Sequence, residues 1–165
     1  MRKQKTRNNS TESSTPIEDL TLDICVLMSG SGTSDENTCK AYRSMSFDLM
    51  KRMISNDKYL LALDNRKRIE TQYLEKLNSQ TYGHHFVRQM ASMGKTFIVS
   101  HTDINRGTRV KLEERGFTRN NEDYKFVVVA TATHSKKLIT HERHFFAVQD
   151  ILSDIGIAVM LPNQA

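Results

Sequence analysis

Five short apolar runs punctuate the chain: "LTLDICVLM" (20–28), "YLLAL" (59–63), "TFIVS" (96–100), "KKLIT" (136–140) and "IAVMLP" (157–162). The intervals between them carry helical spacing. Parallel strands need a crossover of a dozen or more residues, and a helix normally supplies it. The alternation therefore predicts an α/β layer fold around a mostly parallel sheet of four to five strands.

The helical intervals can be read in turn. Tyr42, Met45, Leu49 and Met53 recur at spacings of three, four and four, one face of a helix. Asp64 is placed to cap a helix reaching Asn78, with Ile69, Tyr73 and Leu77 as its stripe. A further helix near 82–93 carries Phe86, Met90 and Met93, and a short one lies within 103–118, ending at Gly116. "DYKFVVVATAT" is apolar nearly all round, as a buried helix would be. "RHFFAVQDILSDIG" reads as an amphipathic helix stopped by Gly156.

A chain of 165 residues suits one core, here expected over 18–165. Residues 1–17 are polar, basic and without periodicity, and are expected to form a disordered arm. No apolar run approaches the ~20 residues of a membrane span. Cys25 and Cys39 have neither metal-ligand nor disulfide spacing, which fits a reducing cytoplasm. A net charge of +5 favours an anionic partner, of which nucleic acid is the commonest.

Asp23 interrupts the first apolar run, where a lone ionised carboxylate costs several kcal/mol unless compensated. Ligands of open parallel sheets gather at the carboxyl ends of the strands. Glu142 follows "KKLIT" by two residues. Asp123 opens the helix before that strand, and Glu70 lies in line with Leu74 and Leu77. Each of these acids has an ordinary structural role open to it. Four in such places also make a candidate cation site.

"NEDYKFVVVATATHSKKLITHERHFF" resembles the C-terminal half of a PIN domain: an Asp, an apolar residue three positions on, an Ala-bearing buried helix, a strand ending in Thr, and an acid two residues later. Here these are Asp123, Phe126, Ala130, Thr140 and Glu142. "LDICVLMSG", "RIETQYLEKL" and "IGIAVMLPNQ" are similar to the family's first strand, Glu-bearing helix and last strand. The resemblance spans roughly 20–162. It implies a Rossmann-like three-layer sandwich and a metal-dependent nuclease, usually an endoribonuclease. Asp23, Glu70, Asp123 and Glu142 would be its catalytic ligands for Mg²⁺ or Mn²⁺, hard cations that prefer carboxylate oxygen. A metal-activated water would then cut the phosphodiester to leave 5′-phosphate and 3′-hydroxyl ends.

Two departures stand out. Ile24 and Cys25 replace the small polar pair that often follows the family's first Asp, leaving Ser29 as a source of the orienting hydrogen bond to Asp23. The fourth acid is Glu142 rather than Asp. Thr140 is expected to contact a ligand or phosphate, and Arg66, Lys67 and Arg143 to guide RNA. Family analogy adds an antitoxin-like protein or a second copy of the chain as partners. The alternative is a catalytically silent PIN-like module that binds RNA or protein. "HERH" lacks the four-residue histidine spacing of a zinc hydrolase helix, and "SGSGTS" lacks a P-loop lysine.

Overall fold

The computed structural model describes residues 16–33 and 39–165. Most of the expected N-terminal arm and part of the "SGSGTSDEN" segment lie outside the described residues, as does the side chain of Cys39. The chain runs β1 (Glu18–Leu22), α1 (Ile24–Ser31), α2 (Cys39–Ser55), β2 (Tyr59–Asp64), α3 (Arg68–Lys76), α4 (Tyr82–Ser92) and β3 (Thr96–Val99). It continues through α5 (Arg106–Glu114), α6 (Tyr124–Ala132), β4 (Lys137–Ile139), α7 (Arg143–Ala147), α8 (Gln149–Asp154) and β5 (Ala158–Met160). The five strands form one sheet in the order β3-β2-β1-β4-β5, and every pairing is parallel. This is the predicted three-layer α/β sandwich.

β1 lies at the centre, and Leu20, Thr21 and Leu22 are fully buried. α1, α2 and α4 pack against one another, whereas α6 crosses β1, β2 and β4. The position of α6 explains its composition. Phe126, Val127, Val128, Val129 and Ala130 are all buried, so no face needs to be polar. The edge strands β3 and β5 are partly exposed.

The first apolar run is not one strand. It divides at Asp23 into β1 and α1, and Gly32 ends α1 in the left-handed conformation at φ 72. Cys25, Val26 and Leu27 are all buried in that helix, and buried helices and central strands are equally apolar on every side. Periodicity therefore could not separate them, and the β-branched Ile24 and Val26 favoured the wrong element. α1 also takes up Ser29–Ser31, which sequence pattern placed in a loop.

Two smaller corrections follow from chain breaks. The helix expected from Arg143 to Gly156 is two, parted at Val148, with Phe145 buried before the break and Ile151 and Leu152 after it. Met93 follows the last turn of α4 and is exposed, because the chain turns there through Gly94 into β3.

Candidate active site at the carboxyl end of the sheet

Asp23 is the residue at which β1 becomes α1. Its backbone N–H still donates to the Ile139 carbonyl of β4, at 2.9 Å, while Ile24 begins the helix. The side chain is 1% exposed. Thr140, just past β4, donates its hydroxyl to Asp23 Oδ2 at 2.7 Å, and the Cys25 thiol donates to the same oxygen at 3.0 Å. Neither bond takes Oδ1. The Thr140 hydroxyl also accepts the Glu142 backbone N–H at 3.0 Å, so one side chain ties Asp23 to the backbone that carries Glu142.

The sequence reading of Ser29 is corrected here. Its hydroxyl pairs with His141 Nε2 at 2.6 Å, six residues along α1 from Asp23, and Cys25 supplies the orienting bond instead. A thiol is a weak donor, but in this position it reaches the Asp23 carboxylate.

Asp123 and Glu142 begin α6 and α7, and neither side chain makes a capping hydrogen bond. Both turn to His144. Its Nε2 is 3.0 Å from Asp123 Oδ2, and its Nδ1 is 4.0 Å from a Glu142 oxygen. Burial drives the Asp23 carboxyl up to about 6, against its two hydrogen bonds, and the charges of Asp123 and Glu142 push the same way. Contact with Asp123 raises His144 despite its partial burial. Three acids and one imidazole thus form a single electrostatic group.

Glu70 stands apart. The buried stripe of α3 is Ile69, Gln72 and Tyr73, continued by Leu77; Glu70 lies half-buried beside it. The acid at the carboxyl end of β2 is Asp64. Its Oδ1 accepts the Ile69 N–H at 2.9 Å and its Oδ2 faces Arg68 Nε at 3.5 Å, so it anchors the start of α3 from a distance, the N-cap position itself being Lys67 rather than the expected Asp64. Burial alone would raise this carboxyl, yet donation from Ile69 and Arg68 outweighs it and holds it low. Asp64 is therefore a satisfied anion.

No protein-family model matches this chain, and no curated protein or solved structure shows significant similarity to it.

The two histidines of "HERH" diverge. His144 turns to the acids, whereas His141 is buried, stacked on Tyr42 with centroids 4.7 Å apart, its Nε2 also 3.1 Å from the Cys25 carbonyl. Burial lowers the His141 pKa. Cys25 Sγ, a ring nitrogen of His141 and a Glu142 oxygen lie within 4.8 Å of one another. Among the described residues this is the set whose ligand atoms lie close enough together to share one cation. Sequence reasoning missed His144 and Cys25 as members of the site. Their signal was proximity in sequence to Glu142 and Asp23.

Arg66, Lys67 and Arg143 are exposed. Arg143 adjoins Glu142, and Arg66 lines a shallow cleft with Arg68 and Lys125. Lys67 takes a left-handed backbone, φ 57, at the turn into α3. None of the described helices is long and apolar enough to cross a membrane.

Proposed function

We propose that this chain is a PIN-type, Mg²⁺- or Mn²⁺-dependent nuclease that acts on RNA. One observation carries the reading: Asp23, buried and held by Thr140 and Cys25, shares its surroundings with Asp123 and Glu142, and among the described residues His144 is the ion-pair partner of both of those acids. Such crowding costs free energy that a divalent cation would return. The carboxylates suit a hard cation by their chemistry, and Asp23 Oδ1 and the half-exposed Glu142 are not spent on capping. The donor atoms already gathered within 4.8 Å, however, are those of Cys25, His141 and Glu142, so binding would have to draw the acids together. The proposed ligands are Asp23, Asp123 and Glu142, with Glu70 in a peripheral place.

A bound cation would supply charge neutralisation and a nucleophile at neutral pH. The chain's own residues do the positioning. Thr140 fixes the Asp23 carboxylate relative to Glu142, and α6 presents Asp123 at its positive end. His144, between Asp123 and Glu142, can hold or release a proton beside the acids.

The test is cleavage of a labelled RNA with Mn²⁺ or with EDTA, by wild type, Asp23→Asn and Asp123→Asn. Cutting that needs the metal and is lost in both variants supports the nuclease. Equal background in every lane supports the second reading, a silent RNA- or protein-binding module. The His144–Asp123 pair favours that second reading, because an imidazolium can neutralise the site without a metal.

A further inference from the structure

A cleft of about 400 Å³ opens beside Asp123, over the carboxyl ends of β2 and β3. Arg68, His101, Arg119, Tyr124 and Lys125 line it. Arg68 comes from the first turn of α3 and His101 follows β3; the Arg68 guanidinium meets His101 Nδ1 at 2.8 Å. Lys125 comes from α6, two residues after Asp123.

The charges in this cleft are unevenly matched. Arg68, Arg119 and Lys125 bring three cations to it, and Asp103 and Glu122 two carboxylates. The acids around Lys125 have other partners: Asp64 faces Arg68, Glu122 pairs with Lys76, Asp103 with Arg119 and Asp123 with His144. Tyr124 lines the cleft as well, with its hydroxyl buried. Adjacent cations make a site for an anion with several acceptor oxygens.

We propose that this cleft holds a backbone phosphate of a single strand, next to the phosphate that the acid cluster addresses. The inference rests on the nuclease reading for the identity of the strand. It narrows the substrate class to oligonucleotides with at least one phosphate beyond the scissile one. Lys125 is the central contact, and Arg68 completes the cradle.

The test is anisotropy of a labelled single-stranded oligonucleotide in EDTA, as a function of salt, with the full chain. Lys125→Gln is expected to weaken binding about fivefold at 0.1 M salt and to flatten the log–log salt slope by about 0.7, the value of one single-strand phosphate contact. Lys125→Arg should restore both. Lys111→Gln, on α5 and paired with Asp154, controls for net charge. Equal slopes in wild type and Lys125→Gln, a loss matched by Lys111→Gln, or no binding by wild type would each overturn the cleft. Cleavage is scored separately. A strand held through Lys125 but never cut defeats the nuclease reading alone, and a strand cut by wild type but indifferent to Lys125 defeats the cleft alone.

Discussion

Asp23→Asn should make the metal-free protein more stable at neutral pH. The carboxyl titrates at about 6 in the fold against 3.8 when unperturbed, so keeping it ionised costs about 3 kcal/mol at 1.36 kcal/mol per unit. The sign follows from linkage. A carboxyl raised on folding contributes stability that is fully present below about pH 4 and lost as the pH climbs through about 6. Asparagine keeps an acceptor for Thr140 and Cys25, and its amide can donate toward Asp123 or Glu142. In a chain of this length the gain corresponds to a rise in Tm of about 6–12 °C. Thermal melts in EDTA from acid to neutral pH provide the assay. The two proteins should melt together near pH 4, diverge through pH 6, and differ by a constant amount above it. Mn²⁺ should then reverse the order, raising wild type by about 2.7 kcal/mol at a hundred times Kd and leaving the variant unmoved. A variant that melts at or below wild type at neutral pH, with the same pH profile, would refute the claim that Asp23 is an uncompensated charge.

Three further expectations concern the frame of the site. Asp123→Asn removes the contact that raises His144, so the His144 resonance in a proton NMR titration should move to lower pKa, with burial as the remaining influence. Lys95, buried, donates to the carbonyls of Met53, Ile54 and Asn56 at 2.7, 2.9 and 2.9 Å and so closes the carboxyl end of α2. Lys95→Met should cost about 2–4 kcal/mol in urea melts through three carbonyls left bare. A Cβ on Gly83 would lie 2.8 Å from the Leu27 carbonyl and 2.7 Å from Ser31 Oγ, so Gly83→Ala should part α4 from α1 and cost about 1–3 kcal/mol.

Sequence pattern reached the architecture because each strand but the first is a short apolar run with turn signals on both sides. It misplaced the boundary at Asp23 for a physical reason. β1 and α1 are both wrapped by other elements, and the unbroken apolar stretch Ile24–Met28 carries neither the alternation of a strand nor the polar face of a surface helix. Asp123 and Glu142 were legible because each follows directly from a strand or helix junction. Glu70 was not, since a position three or four residues from an apolar neighbour can still lie at the margin of the buried stripe. Cys25 and His144 escaped notice because their roles are relational: a thiol becomes an orienting donor only with an acid two residues away, and an imidazole a counter-ion only when α6 brings Asp123 to it.

The carboxyl edge of the sheet divides by charge. Over β1 and β4 stand Asp23 and Glu142, with Asp123 from α6; over β2 and β3 stand Arg68, His101 and Lys125, where Asp64 is already neutralised. An acid cluster alone would repel a polyanion, and a basic cleft alone would bind one without acting on it. Side by side, separated only by the first turn of α6, the two halves suit a strand whose one phosphate is held by cations while its neighbour is presented to a carboxylate-bound metal. Reversing the cationic half with Arg68→Glu and Lys125→Glu should therefore abolish RNA binding while leaving Mn²⁺ stabilisation of the fold in place. Loss of both together would mean that the two halves are one electrostatic unit and that the division is mistaken.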